Sequence, residues 1–272
     1  MEGRISVLGA IIGDIAGSRY ERKNIKTKAF PFFSVFDRMT DDSIMTLAVA
    51  DALLSAREDH TDLGRKAVLS MQRLGHLFPD CGFGGHFRQW LFCEDPTPYG
   101  SWGNGAAMRV SACGWAGNSL REVRELSKAV TEVSHNHPEG LKGAEAAAAA
   151  VFLARTGSSK EEIRDFIQKN YYSLNFTLEE IRAEYSFDVS CQGSVPQAIV
   201  AFLEADSFED TVRNAVSIGG DSDTIAAIAG GIGEAFYGIP GSLRKEALTY
   251  FESQELLDIL HAFEAEYPPK IL

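Results

Sequence analysis

Four times in this chain a serine or threonine stands three residues ahead of a glutamate or glutamine at the head of a helical run: Ser119-x-x-Glu122, Ser158-x-x-Glu161, Thr177-x-x-Glu180 and Ser194-x-x-Gln197. Each has the form of a capping box, in which two side chains satisfy the unpaired amides of a helix start. Between these starts apolar residues recur at helical spacing, as in Ile44, Leu47, Ala48 and Leu54, or Val123, Leu126 and Val130. The run from Ala144 to Ala150 reads as a buried helix whose small side chains let neighbours approach closely. Strand signals are scarce, so the chain is predicted to be all-α.

With 272 residues, 45% of them hydrophobic, the chain can bury a substantial core. One domain over residues 1–272 is expected, because the Gly/Pro-rich breaks near 78–85, 96–105 and 238–241 are neither long nor polar enough for linkers. A net charge of -12 repels phosphate backbones and no basic patch interrupts it, so no nucleic-acid partner is expected. Cys81, Cys93, Cys113 and Cys191 are isolated, with no zinc or disulfide spacing, which fits a reducing cytoplasm. The apolar stretch from Ile5 to Ile12 is too short to span a bilayer and is followed by Asp14, so neither export nor a membrane anchor is expected.

Two acidic clusters carry the chemistry. Thr40-Asp41-Asp42 precedes an amphipathic segment over 43–57, and Asp221-Ser222-Asp223-Thr224 precedes an apolar run over 225–237. Either alone reads as a helix cap that complements the helix dipole, worth about 0.5–2 kcal/mol. Capping needs one side chain per helix, however, and both starts offer two carboxylates and a hydroxyl. Four carboxylates brought together repel unless cations neutralise them, and all-oxygen ligand sets suit Mg²⁺ or Mn²⁺. Gly219-Gly220 either turns the chain sharply into the second cluster or ends the preceding helix.

Three further features have two readings each. Asp14, Ser18 and Glu21 follow the i, i+4, i+7 spacing of one helix face, which points at a site or simply faces solvent. Tyr99-Gly100-Ser101-Trp102-Gly103-Asn104-Gly105 is a glycine-rich loop running into a helical stretch over 106–113; it is either an ordinary turn or a cradle of free amides for a diphosphate. His135-Asn136-His137-Pro138 does not have metal-ligand spacing, so its imidazoles either bond a polar ligand or cap a helix.

In chain order, the segment over 9–21 with Gly9, Gly13-Asp14, Gly17-Ser18 and Glu21, then Thr40-Asp41-Asp42-Ser43-Ile44-Met45, Gly103-Asn104-Gly105 through Arg109, Ser134-His135-Asn136-His137-Pro138 and Gly219 through Thr224 together resemble the ADP-ribosylglycohydrolase family. That family also includes the dinitrogenase-reductase-activating glycohydrolases and a jellyfish lens crystallin. The resemblance implies an orthogonal multi-helix bundle with a dinuclear metal centre in a central cleft. It implies Thr40, Asp41, Asp42, Asp221, Asp223 and Thr224 as ligands of two Mg²⁺ ions, with Mn²⁺ the alternative, and Glu21 as a gating or catalytic carboxylate beside them. It places Tyr99, Gly100, Ser101, Trp102, Gly103, Asn104 and Gly105 along the diphosphate and distal ribose, His135 and His137 against the ligand, and Val189 near the adenosine end.

The activity so implied is hydrolysis of the bond between ADP-ribose and an acceptor, a protein side chain or a small molecule, with Glu21 or Asp41 handling the proton of the attacking water. The chain offers few insertions to grip a protein substrate, so recognition is expected to centre on ADP-ribose, and a monomer is expected. The rival readings are an ADP-ribose-binding or crystallin-like protein on the same fold, and a Mg²⁺-dependent hydrolase of another nucleotide or ribosyl compound.

Overall fold

The computed structural model describes residues 7–267; Ile5 and Ser6 of the first apolar stretch and the last residues of the expected domain lie outside them. In chain order the helices are α1 (Leu8–Ser18), α2 (Asp41–Ser55), α3 (Leu63–Leu77), α4 (Gly85–Leu91), α5 (Ser111–Ala116), α6 (Leu120–Thr131), α7 (Pro138–Arg155), α8 (Lys160–Asn170), α9 (Leu178–Arg182), α10 (Cys191–Leu203), α11 (Phe208–Ser217), α12 (Ser222–Tyr237), α13 (Gly241–Ala247) and α14 (Gln254–Glu266). Two 3₁₀ turns complete the set, and among the described residues the only β pairing is one antiparallel bridge between Gly103 and Ser190. The all-α expectation holds. No helix among the described residues is long and apolar enough to cross a membrane.

The capping signals mark real helix starts, with shifts that have local causes. Thr177 and Glu180 form the full box at α9. At α8 the box is made by Ser159 and Glu162, one residue beyond the predicted pair. At α6 Ser119 accepts from the Glu122 amide, but the Glu122 carboxylate accepts from Asn118 rather than from the cap itself. Ser194 caps nothing: α10 begins a turn earlier because Ser190 accepts from the amide of Gly193, which frees the Ser194 hydroxyl for the Asp188 carbonyl oxygen.

Burial follows side-chain pattern. In α6 Val123, Leu126 and Val130 are buried, and all six alanines of the run in α7 are buried too. The expectation of an amphipathic α2 fails. It is buried on nearly every side, from Asp42 through Ala50, because α1, α3, α5 and α14 surround it. α12 is buried from Ser222 through Glu234, as an all-round apolar and small helix must be.

α1 packs more extensively on α12 than any other pair of helices does among the described residues, and glycine permits it. A Cβ on Gly17 would come within 2.5 Å of the Asp223 Cα and 2.6 Å of the Ser222 carbonyl oxygen. The missing side chain thus brings the end of α1 against the first turn of α12, which carries the second acidic cluster.

Candidate active site and metal centre

Asp14 is the hidden organiser of the first cluster. It is fully buried, which overturns the solvent-facing reading, and its carboxylate accepts four hydrogen bonds from the start of α2. These come from the Thr40 amide at 2.8 Å, the Thr40 hydroxyl at 2.7 Å, the Ser43 amide at 3.1 Å and the Ser43 hydroxyl. The Thr40 hydroxyl in turn accepts from the Asp42 amide at 3.3 Å. Asp41 and Asp42 lie inside the first turn of α2 rather than ahead of it, because the helix starts at Asp41.

The second cluster is set by its double glycine. Gly219 and Gly220 have φ of +69° and +73°, where a side chain would add roughly 1–2 kcal/mol each. Gly219 follows Ile218, the C-cap of α11, in the left-handed conformation, and Gly220 turns the chain again, so both sequence readings hold. Asn24 clasps the turn, exchanging two 2.8 Å hydrogen bonds with the backbone of Gly220. Asp221 then takes the N-cap position of α12 without a side-chain bond to the helix amides, and its carboxylate accepts from Asn104 Nδ2 at 2.7 Å.

The two clusters meet. Thr224 Oγ1 lies 3.2 Å from Asp42 Oδ2, and carboxylate oxygens of Asp14, Asp42 and Asp223 lie within 4.8 Å of one another. Burial, then the charges of Asp14 and other acids, raises Asp42 well above the usual carboxylate range; burial, then Asp42 and Asp221, does the same to Asp223. Asp41 is pushed up to about 7 by burial and by Asp14, and Asp221 is raised by burial. Arg22 and Arg38 line the same cavity as these acids, but among the described residues no cationic side chain forms an ion pair with any of the four, and Arg22 pairs with Glu21 instead. The buried Asp42 Oδ1 has no hydrogen-bond partner among the described residues. A buried set of oxygens with surplus negative charge and an unpaired acceptor fits hard divalent cations.

Glu21 reaches this cluster, but not along a helix face. α1 ends at Ser18, whose hydroxyl folds back on the Ile15 carbonyl oxygen at 2.8 Å, so the i+7 reading fails for Glu21. It lies on the following turn, paired with Arg22 at 3.5 Å, and burial raises its pKa.

From the acids a cavity of about 470 Å³ runs past Glu21, Tyr99, Ser101, Gly103, Asn104, Gly105 and His135 to Val189 at its rim. Gly100, Trp102 and His137 are not in its lining. His137 caps α7 by accepting from the Glu139 amide at 3.1 Å, and the half-exposed Trp102 packs edge-on against it at 5.5 Å. The amide cradle is also largely spoken for. The Tyr99 amide donates to the Ser134 carbonyl oxygen, Gly100 to Asn136, Gly103 to Ser101 and Asn104 to the Val189 carbonyl oxygen. No long helix follows the loop to lend its dipole; a 3₁₀ turn does, and α5 begins only at Ser111.

One wall of the cavity carries no sequence expectation: the segment from Cys81 through Phe87, which includes Gly82, Gly84, Gly85 and His86. Three glycines in four residues leading into α4, whose first residue is Gly85, are the sequence signal here, and by themselves they mark only a chain break. Gly82 comes close to the acids, since a Cβ there would lie 2.8 Å from Asp41 Oδ1.

Comparison with known proteins gives this geometry a context. A family model described as ADP-ribosylglycohydrolase matches residues 3–269. The chain is 26% identical to ADP-ribosylhydrolase ARH3 of Homo sapiens, over 93% of this chain and 91% of that protein. It is 25% identical to ADP-ribosylarginine hydrolase Tri1 of Pseudomonas putida (strain GB-1), over 87% of this chain and 70% of that one. A solved structure described as an ADP-ribosylglycohydrolase-related protein complex shares the fold, with a TM-score of 0.70 over 96% of this chain and 95% of that one at 22% identity. With a family match across nearly its whole length and the family's helical fold, the chain belongs to the ADP-ribosylglycohydrolase enzymes.

Proposed function

We propose that this enzyme hydrolyses the glycosidic bond between ADP-ribose and an acceptor, a protein side chain or a small molecule, and releases ADP-ribose in a reaction that depends on two Mg²⁺ ions. Thr40, Asp41, Asp42, Asp221, Asp223 and Thr224 would hold the ions. The observation that supports this reading best is the meeting of buried carboxylates from two distant stretches of the chain, none of them in an ion pair with a cationic side chain among the described residues. Once bound, divalent ions supply the missing positive charge and coordination for the vicinal hydroxyls of the distal ribose.

The remaining work falls to the side chains. Cleavage at C1″ builds oxocarbenium-like charge, which a dense group of carboxylates stabilises. Glu21 stands at the edge of the cluster with its pKa raised by burial, suited to take the proton of the attacking water; Asp41 is the alternative base. In this reading the diphosphate lies along Ser101, Gly103 and Gly105, against His135, and the adenosine extends toward Val189.

The test is incubation of the purified protein with arginine-linked and serine-linked ADP-ribosyl peptides, with Mg²⁺ or with chelator, and analysis of products. Release of ADP-ribose with Mg²⁺ and its loss with chelator is the expected result. The relative from Pseudomonas is by name an arginine-linked hydrolase, so the arginine peptide is the first substrate to try. ADP-ribose binding without turnover of either peptide would instead mark a binding protein, and phosphate release a hydrolase of another bond.

A further inference from the structure

An unneutralised guanidinium lies beneath the cavity wall. Arg109 has no exposed surface, its Nε and Nη1 have no hydrogen-bond partner, and no carboxylate forms an ion pair with it among the described residues. Its Nη2 donates to Ser134 Oγ at 2.8 Å and to the Val130 carbonyl oxygen at 3.4 Å. Burial pushes its pKa down only to about 10, which leaves it charged at neutral pH. A guanidinium has N–H donors and no acceptor.

That one-way chemistry sets the direction of the bond to Ser134 and constrains the next one. Ser134 Oγ lies 2.9 Å from His135 Nδ1. Since Arg109 only donates, Ser134 receives that bond on a lone pair and its single hydrogen is available for Nδ1. Burial and then the charge of Arg109 hold His135 well below the usual histidine range, so the ring is neutral. In a neutral ring an accepting Nδ1 leaves the proton on Nε2. That nitrogen makes no hydrogen bond among the described residues and faces the glycine loop: Cβ atoms on Gly105 and Gly103 would stand 3.3 and 3.7 Å from it. Arg109, His135, Gly103 and Gly105 all line the cavity.

We propose that Arg109 and Ser134 are positioning residues whose relay fixes His135 as the Nε2–H tautomer, so that a neutral N–H donor meets an anionic oxygen of the bound diphosphate. The tautomer rests on the Arg109–Ser134–His135 geometry and a neutral ring; the diphosphate contact rests on the proposed ADP-ribose substrate. In the competing arrangement Ser134 accepts from both neighbours and sends its hydrogen to a backbone carbonyl, which puts the proton on Nδ1 and turns a lone pair to the cavity.

Nitrogen-15 NMR of the imidazoles in the whole, ligand-free protein separates the two, with His135 assigned by its disappearance in His135→Gln. The expected spectrum shows a protonated, pyrrole-type Nε2 and a pyridine-type Nδ1; the reverse overturns the relay. Ser134→Ala should give mixed tautomers and weaken ADP-ribose binding, measured by calorimetry with Mg²⁺ present, by about tenfold, while Ser134→Thr restores both. A Ser134→Ala protein with an unmixed Nε2–H ring and unchanged Kd would also overturn it. If wild-type protein binds ADP-ribose and the Nε2 resonance does not move, the diphosphate contact is wrong. If it binds no ADP-ribose, the functional reading falls and takes that contact with it, while the ligand-free spectrum still decides the tautomer.

Discussion

Thr224 in the first turn of α12 donates its hydroxyl to Asp42 in the first turn of α2, 3.2 Å across 182 residues of sequence. The bond joins two helix starts, and with them two partial positive poles worth about half a unit charge each. Together they offset about one of the four carboxylates that Asp41, Asp42, Asp221 and Asp223 supply. The rest needs protons or cations.

Magnesium is therefore expected to stabilise the folded protein. At a concentration of about 100 times Kd the gain is about 2.7 kcal/mol, which for a chain of this size raises Tm by roughly 5–10 °C. Asp223→Asn should abolish that rise and the release of ADP-ribose together, while the helical circular-dichroism spectrum is kept. A variant that still gains stability from Mg²⁺ as the wild type does would place the ions elsewhere.

Without metal, the same acids give stability an unusual pH slope. Asp14 is raised to about 6 and Asp41 to about 7, both chiefly by burial, against an unfolded value of about 3.9. A carboxyl with a raised folded pKa holds its proton more tightly when folded, so its contribution is full below about pH 4 and is lost as pH rises through about 6 to 7. The midpoint of urea unfolding in chelator should fall between about pH 5 and about pH 8, and Mg²⁺ should flatten the profile. A midpoint that rises over that window in chelator would contradict the buried, uncompensated acids.

Asp14 tests the scaffold beneath the site. Asp14→Ala strands two amides and two hydroxyls that it now satisfies, each worth about 1–3 kcal/mol when buried without a partner, so a loss of at least about 3 kcal/mol is expected. Asp14→Asn keeps one acceptor oxygen and should lose less. Urea unfolding of both variants checks the order, and a loss below about 1 kcal/mol for alanine would show that the four bonds hold nothing.

What the sequence displays and what it hides divide along local and non-local lines. The two acidic clusters are legible because each is a contiguous helix start, where hydroxyl and carboxylates share one turn. Glu21 is misread as part of a helix face because the end of α1 is set by the Ser18 hydroxyl and by the turn after it, which periodicity does not register. The glycine-rich loop looks like a set of free amides until the Ser134 carbonyl oxygen, the Asn136 and Ser101 side chains and, beside the Gly103–Ser190 bridge, the Val189 carbonyl oxygen take up four of them, and most of those partners lie far along the chain. Arg109 ends one of the family-like motifs, yet its partners are Val130 near the end of α6 and Ser134 in the turn after it, which the motif itself does not reveal.

Gly17 ties that packing to the chemistry. A methyl group there would strike the Asp223 Cα and the Ser222 carbonyl oxygen, which are backbone and cannot rotate away, so α1 and α12 would have to separate. Overpacking of this kind costs about 1–3 kcal/mol. The displaced backbone carries Asp223, so Gly17→Ala should lower stability and also weaken Mg²⁺ binding by calorimetry, a pairing that a remote packing defect would not produce. Gly241→Ala is the control: nothing lies within 4 Å of its added methyl, and it should be neutral or slightly stabilising with Mg²⁺ affinity unchanged. Wild-type Mg²⁺ affinity in a destabilised Gly17→Ala would mean that the crossing holds the fold together without setting the position of Asp223.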